Sequence, residues 1–294
     1  MSDNELLAQK FEQNRGHLRG VAYRMLGSLS EADDAVQEAW LRLSRSPAGA
    51  IENLGGWLTT VVARVCLDML RSRTSRREES IDTQPVEPAS ATSASPDPEQ
   101  ETLLADSVGV ALLVVLDRLA PAERVAFVLH DMFAMSFDEI APLVGRTPTA
   151  ARQLASRARR RVQGAPPISG RELTEQREVV RAFLGALRSG DFEGLVAVLD
   201  PNVAVHLGEG AGRPGALSEI HGAESWARGA VAYTKAAKFV QAALINGAVG
   251  LVWAPRGRLL RVMTCTVKAG KITVVEIIAD PARLRQLDLA ILND

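Results

Sequence analysis

Several things are scarce in this 294-residue chain, and each shortage removes a class of function. Its two cysteines, Cys66 and Cys265, lie in separate apolar runs. A disulfide framework is therefore not expected, and a reducing compartment is. Four histidines and two distant cysteines show no metal-ligand spacing, so neither metal nor cofactor is expected. No apolar run approaches the roughly 20 residues of a membrane helix. The opening MSDNELLAQKFEQNRGHLRG lacks the charged-then-apolar order of a secretion signal, and the chain reads as cytoplasmic, with no membrane partner. The formal net charge of −1 supplies no global field toward DNA, so any affinity for nucleic acid must be local.

Local basic charge is present. GRTPTAARQLASRARRRV, Gly145 to Val162, holds six arginines and no acid. Gly145 permits a turn, Thr147 can cap, and Pro148 suits the first helical position. Ala151, Leu154, Ala155, Ala158 and Val162 recur at helical spacing, which leaves Thr149, Arg152, Gln153, Ser156, Arg157 and Arg160 on the other side. The segment is either a solvated basic face or a helix that lies in nucleic acid. SFDEIAPLV before it carries Ser136 and Glu139 at capping-box spacing. Helix, Gly-containing turn and polar helix together form a helix-turn-helix pattern. Pro142 is unusual inside the first of these helices.

Composition divides the rest. Glu78 to Glu101 is rich in Pro, Ser, Thr and acids and reads as a flexible linker; QGAPPISGR is a second, shorter one. The domains expected are 1–77, 102–163 and 172–294, separated by linkers 78–101 and 164–171. Block one reads as all-helical. In SEADDAVQEAWLRL, Ser30 is the expected N-cap, and Asp33, Asp34, Gln37 and Glu38 fall outside the apolar stripe. Block three reads as two helices, a strand, a helix and then an antiparallel meander, with Asn246-Gly247 as its strongest hairpin signal. The fold class expected is therefore multi-domain: two all-α domains followed by an α+β domain.

DDAVQEAWLRL, GGWLTTVVARVCLDMLRSR and LDRLAPAERVAFVLHDMFAMSFDEIAPLVGRTPTAARQLASRARRRV together resemble the extracytoplasmic-function (ECF) sigma factors of bacterial RNA polymerase. The likeness runs through nearly all of residues 10–162. Block three resembles a SnoaL-like domain, a cone-shaped fold, and the fusion resembles the SigJ-type subgroup. The likeness implies a region 2 helical bundle and a region 4 helix-turn-helix. It implies core RNA polymerase (clamp and flap) and promoter DNA as partners. The clamp-binding face would be Asp33, Asp34, Gln37 and Glu38. The −10 strand would be met by Asn53, Trp57, Arg64, Asp68, Arg71 and Arg73.

The −35 element would be met by Arg146, Thr147, Thr149, Arg152, Gln153, Ser156, Arg157 and Arg160. Thr149, Arg152, Gln153 and Ser156 are placed to face base edges, while Arg157, Arg160 and Arg161 are placed for phosphates. At about 3.5 Å per residue, linker 78–101 reaches roughly 80 Å. That spans the roughly 60 Å between elements about 17 base pairs apart. The linker carries QPVEPA where the subgroup often has Trp-Leu-Pro.

In the last block GEGAGR and ADPARL approximate two subgroup motifs. They make Glu209, Gly210, Gly212, Arg213, Asp280 and Pro281 candidates for regulatory contact with the sigma domains. His206, His221 and Glu224 are the residues an acid–base enzyme would need, with Trp226, Tyr233 and Trp253 as pocket walls; nothing in the sequence fixes them into one constellation. The reading is non-enzymatic, with no catalytic residue, and leaves room for a small-molecule ligand. A ligand-responsive regulator that never touches polymerase, or an isomerase with a DNA-binding appendage, are the rival readings.

Overall fold

A computed structural model describes residues 3–46, 51–79, 109–164, 170–211 and 218–292. Residues 80–101 of the expected linker, most of linker 164–171, and Gly212 and Arg213 lie outside the described residues, whereas Glu78 and Glu79, expected in the linker, continue the helix before it. The first helices are α1 (Asp3–Leu26), α2 (Leu29–Ser44) and α3 (Leu54–Glu79). Next come α4 (Val110–Asp117), α5 (Pro121–Phe127) and a π-turn, Val128–Met132. α6 (Phe137–Val144) and α7 (Pro148–Gln163) complete the helical part. Two compact units result. The first holds α1–α3, α5, α6 and most of α7; the second holds the start of α4, the end of α7 and all that follows.

In the first unit the apolar stripes converge as the helical spacing requires. Ala32, Ala35, Val36, Ala39 and Leu43 of α2 are buried, as are Leu58, Val62 and Cys66 of α3. The N-cap of α2 is Ser28, whose hydroxyl accepts from Glu31 N–H, and not Ser30. Gly27, at φ 73°, ends α1 and leaves Ser28 at the cap position of α2. Arg124 joins α5 to α1. It is 3% exposed; Nη1 donates to the Met25 carbonyl at 2.9 Å and Nη2 to Asp117 Oδ1 at 3.1 Å. Phe133 lies edge-on to His17 at 5.3 Å and beneath the Arg24 guanidinium at the same distance. Both thiols are buried, and burial pushes each up to about 12. Burial in apolar surroundings keeps both protonated at neutral pH.

The second unit continues with α8 (Gly170–Ser189) and α9 (Phe192–Val198). Then follow β1 (Leu199–Leu207), β2 (Glu219–His221) and α10 (Ala223–Val231). β3 (Val240–Ile245), β4 (Ala248–Trp253), β5 (Arg261–Lys268) and β6 (Lys271–Ile278) come next. α11 (Pro281–Gln286) and β7 (Leu289–Ile291) end the described chain. Among the described residues the strands form one seven-stranded sheet, in the order β2-β1-β6-β5-β4-β3-β7. β3 to β6 form the expected meander, and Asn246-Gly247 turns with both φ values positive, as a tight hairpin needs. The sheet is mixed, however: β1 runs parallel to β6. Local alternation shows that a segment is a strand but not which neighbour it takes, so this pairing was invisible in the sequence.

Helices α8 and α10 pack on one face of the sheet. Leu207, Ile277, Met263 and Leu251 are successive cross-strand neighbours on that face, and they line a cavity beneath the helices. The overall class, helical domains followed by an α+β domain, is the one the sequence indicates. No described helix is long and apolar enough to cross a membrane.

Candidate nucleic-acid interface

The helix-turn-helix is built by its terminal residues. Ser136 caps α6 with a complete capping box: its Oγ accepts from Glu139 N–H at 3.3 Å, and Glu139 Oε2 accepts from Ser136 N–H at 3.0 Å. Ser136 Oγ also donates to Oε2 at 2.6 Å. These hydrogen bonds hold the Glu139 carboxyl below its usual range. Pro142 falls in the last turn, exposed, where the helix is about to end. Gly145 then takes the left-handed conformation, φ 66°. Thr147 Oγ1 accepts from Ala150 N–H at 3.3 Å, and Pro148 opens α7.

Ser136→Ala is expected to lower stability by about 1 kcal/mol at neutral pH. A carboxyl whose pKa is depressed in the fold contributes stability above its unfolded pKa and loses it as pH falls through the folded one. The penalty should therefore shrink in acid, and denaturant melts of both proteins at neutral and acid pH measure the difference.

On α7, Ala151, Ala155, Ala158 and Val162 are buried. Arg146, Thr147, Thr149, Arg152, Gln153, Arg157 and Arg160 are exposed, and Ser156 is half-buried. The six arginines are not equivalent. Arg157 Nε donates to Glu123 Oε1 at 3.0 Å, and that carboxylate is itself 8% exposed. Arg159 Nε donates to Asp131 Oδ1 at 2.7 Å. These two lock α7 onto the preceding segment, a role the charge pattern could not distinguish from DNA contact. Arg146, Arg152 and Arg160 have no carboxylate partner among the described residues. The Arg152 guanidinium lies over the Phe137 ring at 5.3 Å, and that ring stacks on His130 at 3.9 Å. His130 Nδ1 donates to the Met135 carbonyl at 3.0 Å. Sequence reasoning missed this aromatic support; its trace was an aromatic at the first position of α6.

In the first helices the expected sites divide in the same way. On α2, Asp33 is half-buried and pairs with Arg19 at 2.7 Å, and Glu38 pairs with Arg42 at 3.0 Å. Asp34 and Gln37 are exposed. Asn53 caps α3, its Oδ1 accepting from Gly56 N–H at 3.0 Å. Trp57 is half-buried, and Arg64, Asp68 and Arg71 form one exposed stripe. Asp68 and Arg71 stand 4.0 Å apart. Arg73 turns inward, donating to the Leu26 carbonyl at 3.0 Å and pairing with Glu31, so it ties α3 to α1 and α2.

In the second unit Glu209 and Gly210 are exposed in a turn. Asp280 caps α11 by accepting from Arg283 N–H at 2.7 Å, and Pro281 takes its first position. His206 and His221 flank Glu219 at 3.6 and 3.2 Å on the exposed β1–β2 edge, and Glu224 is exposed at the start of α10. None of these four lines the cavity, whereas Trp226, Tyr233 and Trp253 do.

Residues 11–76 match the Sigma-70 region 2 family and residues 109–162 the Sigma-70 region 4 family. The chain is 35% identical over 288 residues to the probable ECF RNA polymerase sigma factor SigI of Mycobacterium tuberculosis, covering 98% of each. It is 39% identical over 285 residues to that organism's ECF RNA polymerase sigma factor SigJ, covering 92% of this chain and 91% of the relative. The crystal structure of M. tuberculosis SigJ is similar over 94% of this chain and 98% of that one, at 32% identity and a TM-score of 0.44.

Proposed function

The chain belongs to the extracytoplasmic-function RNA polymerase sigma factors, and from that membership we propose that it acts in the cytoplasm as a non-enzymatic initiation factor, joining core polymerase and selecting promoters through −10 and −35 elements. Modules 1–77 and 102–163 do the selecting, and 172–294 tunes them.

The observation that carries this reading is the exposed, unpaired face of α7. Thr149, Arg152 and Gln153 stand beside the capped N-terminal end of the helix, with Arg146 in the turn and Arg160 further along. That is the end from which recognition helices meet base edges, and arginine pairs bidentately with guanine. Asp34 and Gln37 remain exposed for the polymerase, and Arg64, Asp68 and Arg71 for the melted strand. Arg73, Asp33 and Glu38 support those surfaces through the ion pairs described above. Glu209 and Gly210 remain surface candidates for regulatory contact, while Asp280 and Pro281 act through the start of α11.

The Arg124–Met25 hydrogen bond adds a mechanical point. It joins a helix of the region 4 match to one of the region 2 match at 2.9 Å. Promoter elements about 17 base pairs apart lie roughly 60 Å from one another. The two modules must part to read both, and the packed form is the DNA-free one.

In vitro transcription with core polymerase tests the proposal. Full-length protein and residues 1–163 should both confer start-site selection, with different yields at limiting core. Absence of selection from both overturns the initiation reading. Equal yields at every core concentration overturn the tuning role of residues 172–294.

A further inference from the structure

The cavity of the C-terminal unit has a volume of about 310 Å³. That places it at the small end of ligand sites, which run from about 300 to 1,000 Å³. Its wall is apolar apart from Arg261, the two indoles and the Tyr233 hydroxyl. The indole Nε1 atoms of Trp226 on α10 and Trp253 on β4 are buried without a hydrogen-bond partner. Both are covered by neighbouring protein atoms, so neither N–H opens onto the cavity.

Arg261 on β5 is the cross-strand neighbour of Trp253 and lines the same cavity. Its guanidinium carbon lies 4.9 Å from the indole centroid, and it has no carboxylate partner among the described residues. The lining includes no carboxylate and no imidazole among the described residues. Among the described residues this wall therefore carries one formal charge, the Arg261 cation, set in hydrocarbon.

We propose that the C-terminal domain binds a small apolar carboxylate. Its hydrocarbon body fills the cavity and its carboxylate rests on Arg261. The occupant is an anion because a carboxylate uses the bidentate geometry of guanidinium and an alcohol or amine does not. The binding assignment is independent of the promoter reading, because it is measured without DNA or polymerase.

Calorimetric titration of the full chain with decanoate, 1-decanol and decylamine tests it. Decanoate should bind once per chain and at least about tenfold more tightly than 1-decanol, with decylamine not binding. Arg261→Gln should weaken decanoate by about tenfold to a hundredfold and leave 1-decanol unchanged. Gly229 lines the cavity, and an added Cβ there meets nothing within 4 Å. Gly229→Phe should therefore abolish both titrations while the unfolding midpoint is retained. Equal affinity for decanoate and 1-decanol, or undiminished decanoate affinity in Arg261→Gln, overturns the proposal. So does failure of every straight-chain acid from hexanoate to dodecanoate to bind.

Discussion

Replacing Arg152 by alanine should weaken binding to a −35 duplex by about 1–3 kcal/mol, roughly fivefold to 150-fold, and relax preference at one base pair. The size of the effect follows from how the side chain is held. Arg152 is exposed in the first half of α7, yet its guanidinium rests on Phe137, which is backed by His130. A long side chain already confined to one direction loses less rotamer freedom on docking. Phe137→Leu should then reproduce part of the loss with Arg152 intact. Arg160 serves as the control. Removing a phosphate contact weakens all sequences alike and lowers the salt dependence by about one counterion. Equilibrium binding to a set of single-base-substituted duplexes at two salt concentrations separates the two behaviours. An unchanged base preference in Arg152→Ala takes that residue out of the base-reading set.

The second large effect is expected at Arg124. Arg124→Met keeps most of the buried hydrocarbon but removes the donors that meet the Met25 carbonyl and Asp117. Losing charged hydrogen bonds from a buried site costs about 2–3 kcal/mol; Asp117, half-exposed, recovers water and holds the cost at that level. The variant should unfold at lower denaturant. Its promoter behaviour should move the opposite way. If the bond restrains two modules that must part, weakening it raises the open population and with it the apparent affinity for promoter in the presence of core. Denaturant midpoints and promoter-complex titrations on the same preparation give both signs. A promoter affinity that falls in step with stability would show that this bond is ordinary packing and not a restraint.

The fold was legible wherever the signal was local. Ser136, Gly145, Thr147 and Pro148 mark helix ends by chemistry that acts over three or four residues, and all four do what their types suggest. Asn246-Gly247 is the same kind of signal. Legibility failed at longer range. Ser30 looked like a cap because the turn at Gly27 was not counted, although Ser28 and Glu31 already stood at capping-box spacing. The parallel pairing of β1 and β6 left no mark in either strand. Exposure of the site residues was largely readable from helical phase. Which arginines are spent internally was not, because Glu123, Asp131 and Glu31 reach their partners only after the helices pack. The cavity shows both cases: Trp226 and Trp253 were recognisable as pocket aromatics, but Arg261 enters beside them through a cross-strand register that periodicity does not reveal.

The parallel ladder between β1 and β6 also sets an order of events at the ribosome. Leu207 must wait for Ile277 before that edge of the sheet can close, since the two are neighbours in it. Loop closure over such a separation is slow, whereas the helical modules need mostly near neighbours and emerge earlier. During each round of synthesis the helical part of the chain is therefore complete before the sheet that follows it can close.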